Sequence, residues 1–335
     1  MATIPAPNFD RKIADASATA TRHEKPMIQR QMGRTEWLLL ASLGLIWGSA
    51  FLFIKIAVAH FDPLTYVWLR LSMAAGALFV ILRLSGRSLR LPLAVWAAVG
   101  LLALLNNVIP FILFGWGQRH IASGLAAILQ ATTPIFGVVA AHFLTVDEKV
   151  TPRRLAGVIV GFGGVALMIG PQLGGDSGNH LVAQIACLVA SVLYALAGIF
   201  ARRFKALGVA PMELAAAQFV AGAVMLTPVA LAFGDPITAL PTSLPAWGAV
   251  AMLALICSAL AYVLFFKLLE RAGATNSLLV TLLVPPVAIL LGALLLGEHF
   301  GAAQIGGLLL IGGGLAVIDG RLFSRLKVLR LRPAV

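Results

Sequence analysis

Two stretches of the chain are nearly alike: LAGVIVGFGGVALMIG at residues 155–170 and IGGLLLIGGGLAVIDG at residues 305–320. Both are apolar, both are interrupted by glycine, and they lie 150 positions apart. The same unusual segment occurring twice points to internal duplication, in which each copy is one structural unit.

The duplication extends far beyond these glycine-rich segments, because nearly the same shift brings many other residues into register. The matched pairs include Ala122 with Ala272, Leu129 with Leu279, Glu148 with Glu298, Trp96 with Trp247 and Pro63 with Pro211. A shared apolar composition would explain matched leucines but not a matched glutamate. Residues 36–170 and 181–320 are therefore interpreted as two copies of one unit.

The composition indicates an integral membrane protein. Hydrophobic residues make up 60% of the 335 residues and charged residues only 11%, whereas soluble domains have about 45–50% and about 25%. The net charge of +12 lies in short loops and tails. This argues against nucleic acid as a partner, and the lipid bilayer is the predicted one. Cys187 and Cys257 lie within apolar runs and are interpreted as packing residues; no metal or cofactor is predicted.

The chain divides into ten apolar segments of about the length that a bilayer-spanning helix needs. None shows the period-two alternation of a membrane β-strand, so all are predicted to be helices. The predicted spans are 37–59, 64–82, 93–115, 121–144, 152–170, 181–200, 211–233, 246–266, 273–296 and 302–320.

The distribution of lysine and arginine predicts the orientation of these spans. With a cytoplasmic N-terminus, 22 basic residues lie in inside segments and only Arg119 lies outside, which is the asymmetry that bacterial membrane proteins display. Both termini are therefore predicted to be cytoplasmic, in a multi-pass protein of the bacterial inner membrane. Residues 1–35 lack the apolar core of a signal peptide and are expected to form a flexible tail. The basic amphipathic tail 321–335 is expected to lie on the inner leaflet, or alternatively to bind a calmodulin-type partner.

Five spans per copy is an odd number, so the second copy must enter the membrane from the opposite side. Inverted repeats of this kind are typical of secondary transporters, in which two pseudo-equivalent halves exchange inward-open and outward-open shapes around a midplane site. The closing span of each copy is interpreted as a packing element, because small residues let helix backbones approach closely. A dimer face and a role in transport are the alternatives, for a monomer or a homodimer. The glycines concerned are Gly157, Gly161, Gly163, Gly164, Gly313 and Gly314.

Several segments resemble the EamA domain of the drug/metabolite transporter superfamily. They are WGSAF (47–51), SGLAAILQATTPIFGVVAAHFLTVDEK (123–149), VPP (284–286), LGEHF (296–300) and the two glycine-rich closing spans. The resemblance covers nearly all of the chain after residue 36. It implies ten helices in two EamA repeats and transport of small metabolites by alternating access, with export of amino acids or related compounds favoured. Asp147 and Lys149 depart from the Gly-Glu-Arg-like turn of the family, but Glu148 is retained.

Two cations inside the apolar segments are candidates for substrate binding, Lys55 and Arg70. A charge within the hydrocarbon costs at least about 2.5–3.5 kcal/mol on insertion scales, so its presence is a functional hypothesis by default. Either cation could attract a substrate carboxylate or phosphate, and an arginine could hold it bidentately. The alternative is that each long side chain reaches the nearby headgroups.

Embedded polar side chains form a second set of binding candidates: Asn106, Asn107, Gln130, Gln218 and Ser258. Gln218 matches Arg70 at a shift of 148, so the two copies would offer a cation on one side and an amide on the other. Hydrogen bonding between helices is the alternative role. The aromatic candidates are Trp47, Tyr194 and Tyr262, for which ordinary packing is the alternative.

Glu148 and Glu298 each precede the closing span of a copy. A carboxylate near a helix N-terminus is stabilised by the helix dipole, so capping is the first interpretation and a gating salt bridge the second.

All thirteen acidic residues fall in tails, loops or helix ends, which weakens proton coupling through a mid-span carboxylate. His142 is the one titrating group expected within a span, and facilitated diffusion or exchange is favoured. An intramembrane enzyme would need a motif such as HExxH or paired intramembrane acids, and the chain has neither. A non-transporting scaffold would gain little from buried polar side chains. Carriers of drugs, cations or sugars stay open as alternatives.

Overall fold

The fold is described by a computed structural model that covers residues 32–145, 149–169, 178–234, 241–277 and 279–319. Within these ranges the chain is helical and contains no strand. A short helical segment, Ala274–Ser277, precedes the ninth helix. The helices are α1 Arg34–Val58, α2 Pro63–Leu84, α3 Leu93–His120, α4 Ser123–Leu144, α5 Pro152–Ile169, α6 Gly178–Ala206, α7 Pro211–Phe233, α8 Leu244–Ala272, α9 Val280–Leu296 and α10 Ala302–Asp319.

The length and hydropathy of these helices suit a bilayer. Nine helices of the described part are long and apolar enough to cross a membrane, and α9 has 17 residues. Many large apolar side chains on the outward faces of the bundle are exposed, as on Phe143, Leu244 and Leu309. The protein is therefore a multi-pass integral membrane protein. The count of ten spans and the cytoplasmic position of both termini stay predictions, and most of both tails lies outside the described residues.

Three helices continue at least five residues past their predicted ends. The predictions ended α3 at 115, α6 at 200 and α8 at 266, whereas the helices end at His120, Ala206 and Ala272. Each added turn carries a basic residue, and a cation near a helix C-terminus is stabilised by the helix dipole. A span judged by hydropathy alone therefore stops before the helix does.

Three helices are irregular in their interiors. α3 contains a π-helical segment, Leu104–Val108, and α8 contains a longer one, Met252–Leu260. α4 is interrupted between Gln130 and Thr133, just before Pro134, whose ring removes a backbone donor. Such segments leave backbone carbonyls outside the regular ladder and are frequent at functional sites.

The two repeats pack through pairs of helices that match one another. If α1 corresponds to α6, α2 to α7, α3 to α8, α4 to α9 and α5 to α10, every major contact between the repeats has a counterpart. α1 contacts α9 as α6 contacts α4, and α2 contacts α8 as α7 contacts α3. The pairs α2–α7, α4–α9 and α5–α10 each map onto themselves. A pseudo-two-fold axis between the repeats gives this pattern.

The glycine-rich closing helices, α5 and α10, cross at close range. A Cβ atom on Gly157 would lie 2.6 Å from the carbonyl oxygen of Gly314, and one on Gly164 would lie 2.7 Å from that of Gly307. Gly161 takes part through its backbone, since a Cβ on Gly314 would lie 2.8 Å from the Gly161 nitrogen, while an added Cβ on Gly161 itself would meet Ile135 of α4. The backbones therefore approach as only glycine allows.

Two of the predicted packing glycines do not take part in this crossing. Gly163 and Gly313 have nothing within 4 Å of an added Cβ among the described residues. A comparable close approach occurs where α1 meets α9, since a Cβ on Gly48 would lie 3.0 Å from the carbonyl oxygen of Val284. The motif Gly44-x-x-x-Gly48 in the sequence signals this second contact.

Candidate functional site

Six of the predicted substrate-binding residues lie together in the middle of the bundle. We call them the central polar cluster: Arg70, Asn106, Asn107, Gln218, Ser258 and Tyr262. They come from α2, α3, α7 and α8, so both repeats contribute. Arg70 and Gln218 each lie seven residues after the first residue of their helix, a depth of about 10 Å from opposite ends of the bundle at the usual helical rise.

Arg70 is the charged member of the cluster. Its side chain is 6% exposed, and its Nε atom donates to Ser258 Oγ at 3.2 Å. Its guanidinium carbon lies 3.7 Å from the centre of the Phe111 ring, a favourable cation–π arrangement. Among the described residues no carboxylate forms an ion pair with Arg70, since the one ion pair found there joins Arg271 and Glu36. The guanidinium thus carries a buried positive charge without a counter-ion among the described residues.

Asn106 joins the uncharged residues of the cluster through hydrogen bonds. Its Nδ2 atom donates to Gln218 Oε1 at 2.9 Å, to Tyr262 Oη at 3.2 Å and to Asn107 Oδ1 at 3.3 Å. Asn107 is 0% exposed, and its own Nδ2 atom donates to no partner in the described part of the chain. A buried amide donor without a partner costs about 1–3 kcal/mol, which a bound acceptor would recover.

The contacts of the cluster join equivalent helices in the two halves of the molecule. Arg70 of α2 bonds to Ser258 of the α8 π segment, and Gln218 of α7 bonds to Asn106 of the α3 π segment. Arg70 corresponds to Gln218 at a shift of 148, and Asn107 corresponds to Ser258 at a shift of 151. An exact counterpart of the Arg70–Ser258 bond would join Gln218 to Asn107, whereas Gln218 bonds to the neighbouring Asn106. The two halves therefore join equivalent helices, and the partner on the π segment differs by one position.

The aromatic candidates obey the same relation. Trp47 lies against Phe265 with ring centres 5.5 Å apart, and Tyr194 stacks on Phe114 with ring centres 6.0 Å apart. Trp47 matches Tyr194 at a shift of 147, and Phe114 matches Phe265 at 151. Tyr194 therefore packs against α3 in one half, and Trp47 packs against α8 at the matching position in the other half.

Lys55 does not join the cluster. Its Nζ atom donates to the carbonyl oxygens of Gln118 at 2.6 Å and Ile121 at 2.9 Å, where α3 ends. Arg119 of α3 donates in return to the carbonyl oxygens of Val58 and Phe61, where α1 ends. The last carbonyl groups of a helix have no partners within the helix. Here each helix supplies a cation that bonds to the last carbonyl groups of the other.

Glu298 binds a helix of the other repeat rather than the helix that follows it. Its carboxylate accepts from Ser123 N at 2.7 Å, from Ser123 Oγ at 2.9 Å and from Gly124 N at 3.3 Å, at the start of α4. The predicted environment of a helix N-terminus is present, but it belongs to α4 and not to α10. Gly297 has a φ of +64°, a left-handed conformation that glycine adopts without strain and that turns the chain after α9. Gly292 leaves room for the carboxylate, because an added Cβ would clash with Glu298 Oε2.

Two further predicted residues stand apart from the cluster. Gln130 is partly exposed at the interruption of α4, and its side chain forms no hydrogen bond within the described part of the molecule. Glu148 lies outside the described residues.

Phe111 is a site residue that the sequence interpretation missed. It stands four positions after Asn107 in α3, so it shares a helix face with that residue, and this spacing is the signal that could have identified it. Tyr66 was missed as well. It is fully buried, and its hydroxyl donates to the carbonyl oxygen of Phe111 at 2.5 Å. No polar spacing around Tyr66 indicates this contact.

The chain is similar to curated transporters over most of its length. It is 28% identical over 293 residues to the uncharacterized transporter YoaV of Bacillus subtilis (strain 168), covering 86% of this chain and 98% of that protein. It is 29% identical over 263 residues to the uncharacterized inner membrane transporter YedA of Escherichia coli (strain K12), covering 77% and 82%. It is 28% identical over 312 residues to a probable terminal-alkyne amino-acid exporter of Streptantibioticus cattleyicolor, covering 91% and 98%.

A solved structure, described only as a protein crystal structure, shares the fold. It superposes with a TM-score of 0.62 at 19% sequence identity and covers 87% of this chain and 98% of its own. Residues 35–170 and 181–319 each match the EamA-like transporter family. The duplication read from the glycine-rich segments is thus a pair of EamA repeats, and the chain belongs to the EamA-like transporter family.

Proposed function

We propose that this protein is a secondary transporter that moves a small metabolite across the bacterial inner membrane by alternating access. The observation that supports this most is the central polar cluster, in which the equivalent residues Arg70 and Gln218 each bond to the π segment of the other repeat's third helix, Arg70 to Ser258 and Gln218 to Asn106. A site built from equivalent residues of two repeats at mid-depth is what alternation between two pseudo-equivalent shapes requires.

The proposed arrangement in the membrane has ten spans, inverted repeats and both termini in the cytoplasm. It rests on the basic residues of the loops and on the helix contacts, which match when each helix of α1–α5 is paired with its counterpart in α6–α10. In this orientation the contacts of Lys55, Arg119 and Glu298 lie at the outer face. They would hold the ends of α1, α3, α4 and α9 together while the outer side is closed.

The proposed substrates are amino acids or related compounds, and export is the proposed direction. The buried Arg70 guanidinium suits a carboxylate, which arginine binds through two parallel hydrogen bonds. One relative is described as a probable terminal-alkyne amino-acid exporter, which fits this substrate class. A carrier of organic cations is less compatible with an uncompensated arginine, and an enzyme would need a catalytic group that the cluster lacks.

Counterflow in proteoliposomes tests the proposal. Vesicles containing the purified protein are loaded with one unlabelled solute, and uptake of its labelled form is followed for a panel of amino acids, sugars and organic cations. We expect exchange of carboxylate-bearing solutes and loss of at least about tenfold of that exchange in Arg70→Gln, which removes a charge-assisted hydrogen-bond donor. Arg83→Gln is the matched control, because Arg83 lies on the same helix with its guanidinium 5.0 Å from the Phe79 ring but is exposed.

Exchange of no solute by the wild type would contradict the transporter assignment. Exchange of sugars or cations that Arg70→Gln leaves unchanged would contradict the substrate class while upholding transport. Facilitated diffusion or exchange, rather than proton coupling, predicts that a collapsed proton gradient leaves the exchange rate unchanged.

A further inference from the structure

Hydrogen-bond partners are unevenly distributed in the central polar cluster. The two hydrogens of Asn106 Nδ2 are shared among three acceptors, namely Asn107 Oδ1, Gln218 Oε1 and Tyr262 Oη. Asn107 Nδ2 is buried without a partner in the described part of the chain. The Arg70 side chain donates to a described residue only through Nε. The cluster therefore places unengaged donors beside its cation, and a ligand with an anionic acceptor is its complement.

The charge of the cluster limits the ligand further. Arg70 is its only charged member, and its guanidinium lies against the Phe111 ring rather than against a carboxylate. An unpaired buried charge is strongly unfavourable, so a ligand that supplies one negative charge stabilises the site. A doubly charged phosphate would need a second cation. An ammonium group would need an anionic partner, and no member of the cluster is a carboxylate.

We infer that the site selects a single carboxylate on its ligand, held by Arg70 and by the Asn107 side-chain amide, and that an α-ammonium group adds nothing to binding. This inference rests on the proposed function and narrows its substrate class. N-acyl amino acids and 2-hydroxy acids then bind at least as well as the free amino acids with the same side chain. Arg70 is the residue that sets this specificity, because it supplies the only positive charge.

Thermal unfolding of the purified protein in detergent tests the inference without relying on transport. Three sets of ligands are compared, with the alanine, leucine and phenylalanine side chains. Each set contains the amino acid, its N-acetyl form, the matching 2-hydroxy acid and the amine that lacks the carboxylate. In at least one set we expect the N-acetyl form and the hydroxy acid to raise the unfolding midpoint at concentrations no higher than the amino acid needs, and the amine to have no effect.

The variants separate recognition from folding. In Arg70→Gln the concentration of acid needed for half of the stabilisation should rise at least about tenfold, as expected for a lost charge-assisted bond. Arg70→Lys keeps the charge without the bidentate geometry and should fall between that variant and the wild type. Asn107→Leu removes the amide donor and should weaken the acids less than Arg70→Gln does. Arg83→Gln should match the wild type throughout.

Stabilisation by the amines, or by the amino acids but not by their N-acetyl and hydroxy forms, would overturn the inference. So would the absence of stabilisation by any acid in all three sets. In each of these cases, counterflow of a neutral or cationic solute would still support transport, so the two proposals fail separately. If Arg70→Gln does not fold, the comparison of acids with amines in the wild type decides.

Discussion

At the scale of single residues, two cations in the first repeat lie in different surroundings. Lys55 is surrounded by helix-end carbonyl oxygens, to which it donates two hydrogen bonds, and Arg70 has one hydroxyl partner and an aromatic ring. Carbonyl oxygens at a helix C-terminus carry partial negative charge that offsets a cation. Lys55 therefore has its partners within the protein, and Arg70 is the cation that we propose a ligand neutralises.

Lys55→Met is predicted to destabilise the protein without changing which ligands it binds. The substitution keeps an unbranched side chain but leaves the carbonyl oxygens of Gln118 and Ile121 without their donor, a loss of about 1–3 kcal/mol in the free energy of unfolding. A lower unfolding midpoint with an unchanged ranking of ligands is the expected result. Lys205→Met is the control, since Lys205 is an exposed lysine of the last turn of α6. A changed ranking of acids and amines would contradict the assignment.

The sequence alone identifies which side chains are unusual but not what they contact. Lys55 and Arg70 are equally unexpected in an apolar segment, and only the arrangement of helices distinguishes their roles. Glu298 illustrates the same limit, because its partners Ser123 and Gly124 lie in the other repeat. A glutamate before a helix predicts a helix N-terminus nearby, yet local sequence cannot show that the helix comes from elsewhere in the chain.

At the scale of helices, small residues and irregular turns decide the geometry. The crossing of α5 and α10 depends on glycine at Gly157, Gly164, Gly307 and Gly314. The π segments of α3 and α8 place Asn106, Asn107 and Ser258 at the central polar cluster. The glycine-rich sequences predict a close crossing of these helices. They do not predict the π segments, because one extra residue in a helical turn does not change the composition of the segment.

Gly164→Leu is predicted to reduce the amount of folded protein sharply, while Gly163→Leu is tolerated. A side chain at Gly164 meets the backbone of Gly307 and the side chains of Leu310 and Ile311, whereas a Cβ at Gly163 meets nothing within 4 Å among the described residues. Overpacking of a closely fitted contact typically costs about 1–3 kcal/mol, and more where backbone must move. Size-exclusion chromatography of the detergent extract, with the yield of monodisperse protein as the readout, compares the two variants. Equal yields would contradict the packing account.

At the scale of the whole molecule, the duplication accounts for most of what the sequence could predict. Two five-helix copies give the helix order, the membrane location and the matching of Arg70 with Gln218 before any contact is known. The pairing of α1 with α9 and of α2 with α7 does not follow from the repeat alone, because a two-fold relation allows many ways of packing two copies together. Side chains at the interface select one of them, as Gly48 does against Val284.

The measurement that tests alternating access most directly is two-sided labelling of Ser258→Cys. The chain has two cysteines, Cys187 and Cys257, and both are replaced by alanine first. Ser258 is fully buried, so a membrane-impermeant thiol reagent reaches it only when one side of the molecule opens. The reagent is applied in turn to each face of oriented vesicles, and Ser85→Cys, at an exposed loop position next to α2, is the control.

The account predicts that Ser258→Cys reacts from both faces, that a bound carboxylate ligand slows both reactions, and that Ser85→Cys reacts from one face only. Reaction of Ser258→Cys from a single face, or from neither, would contradict a site that opens alternately to the two sides of the membrane.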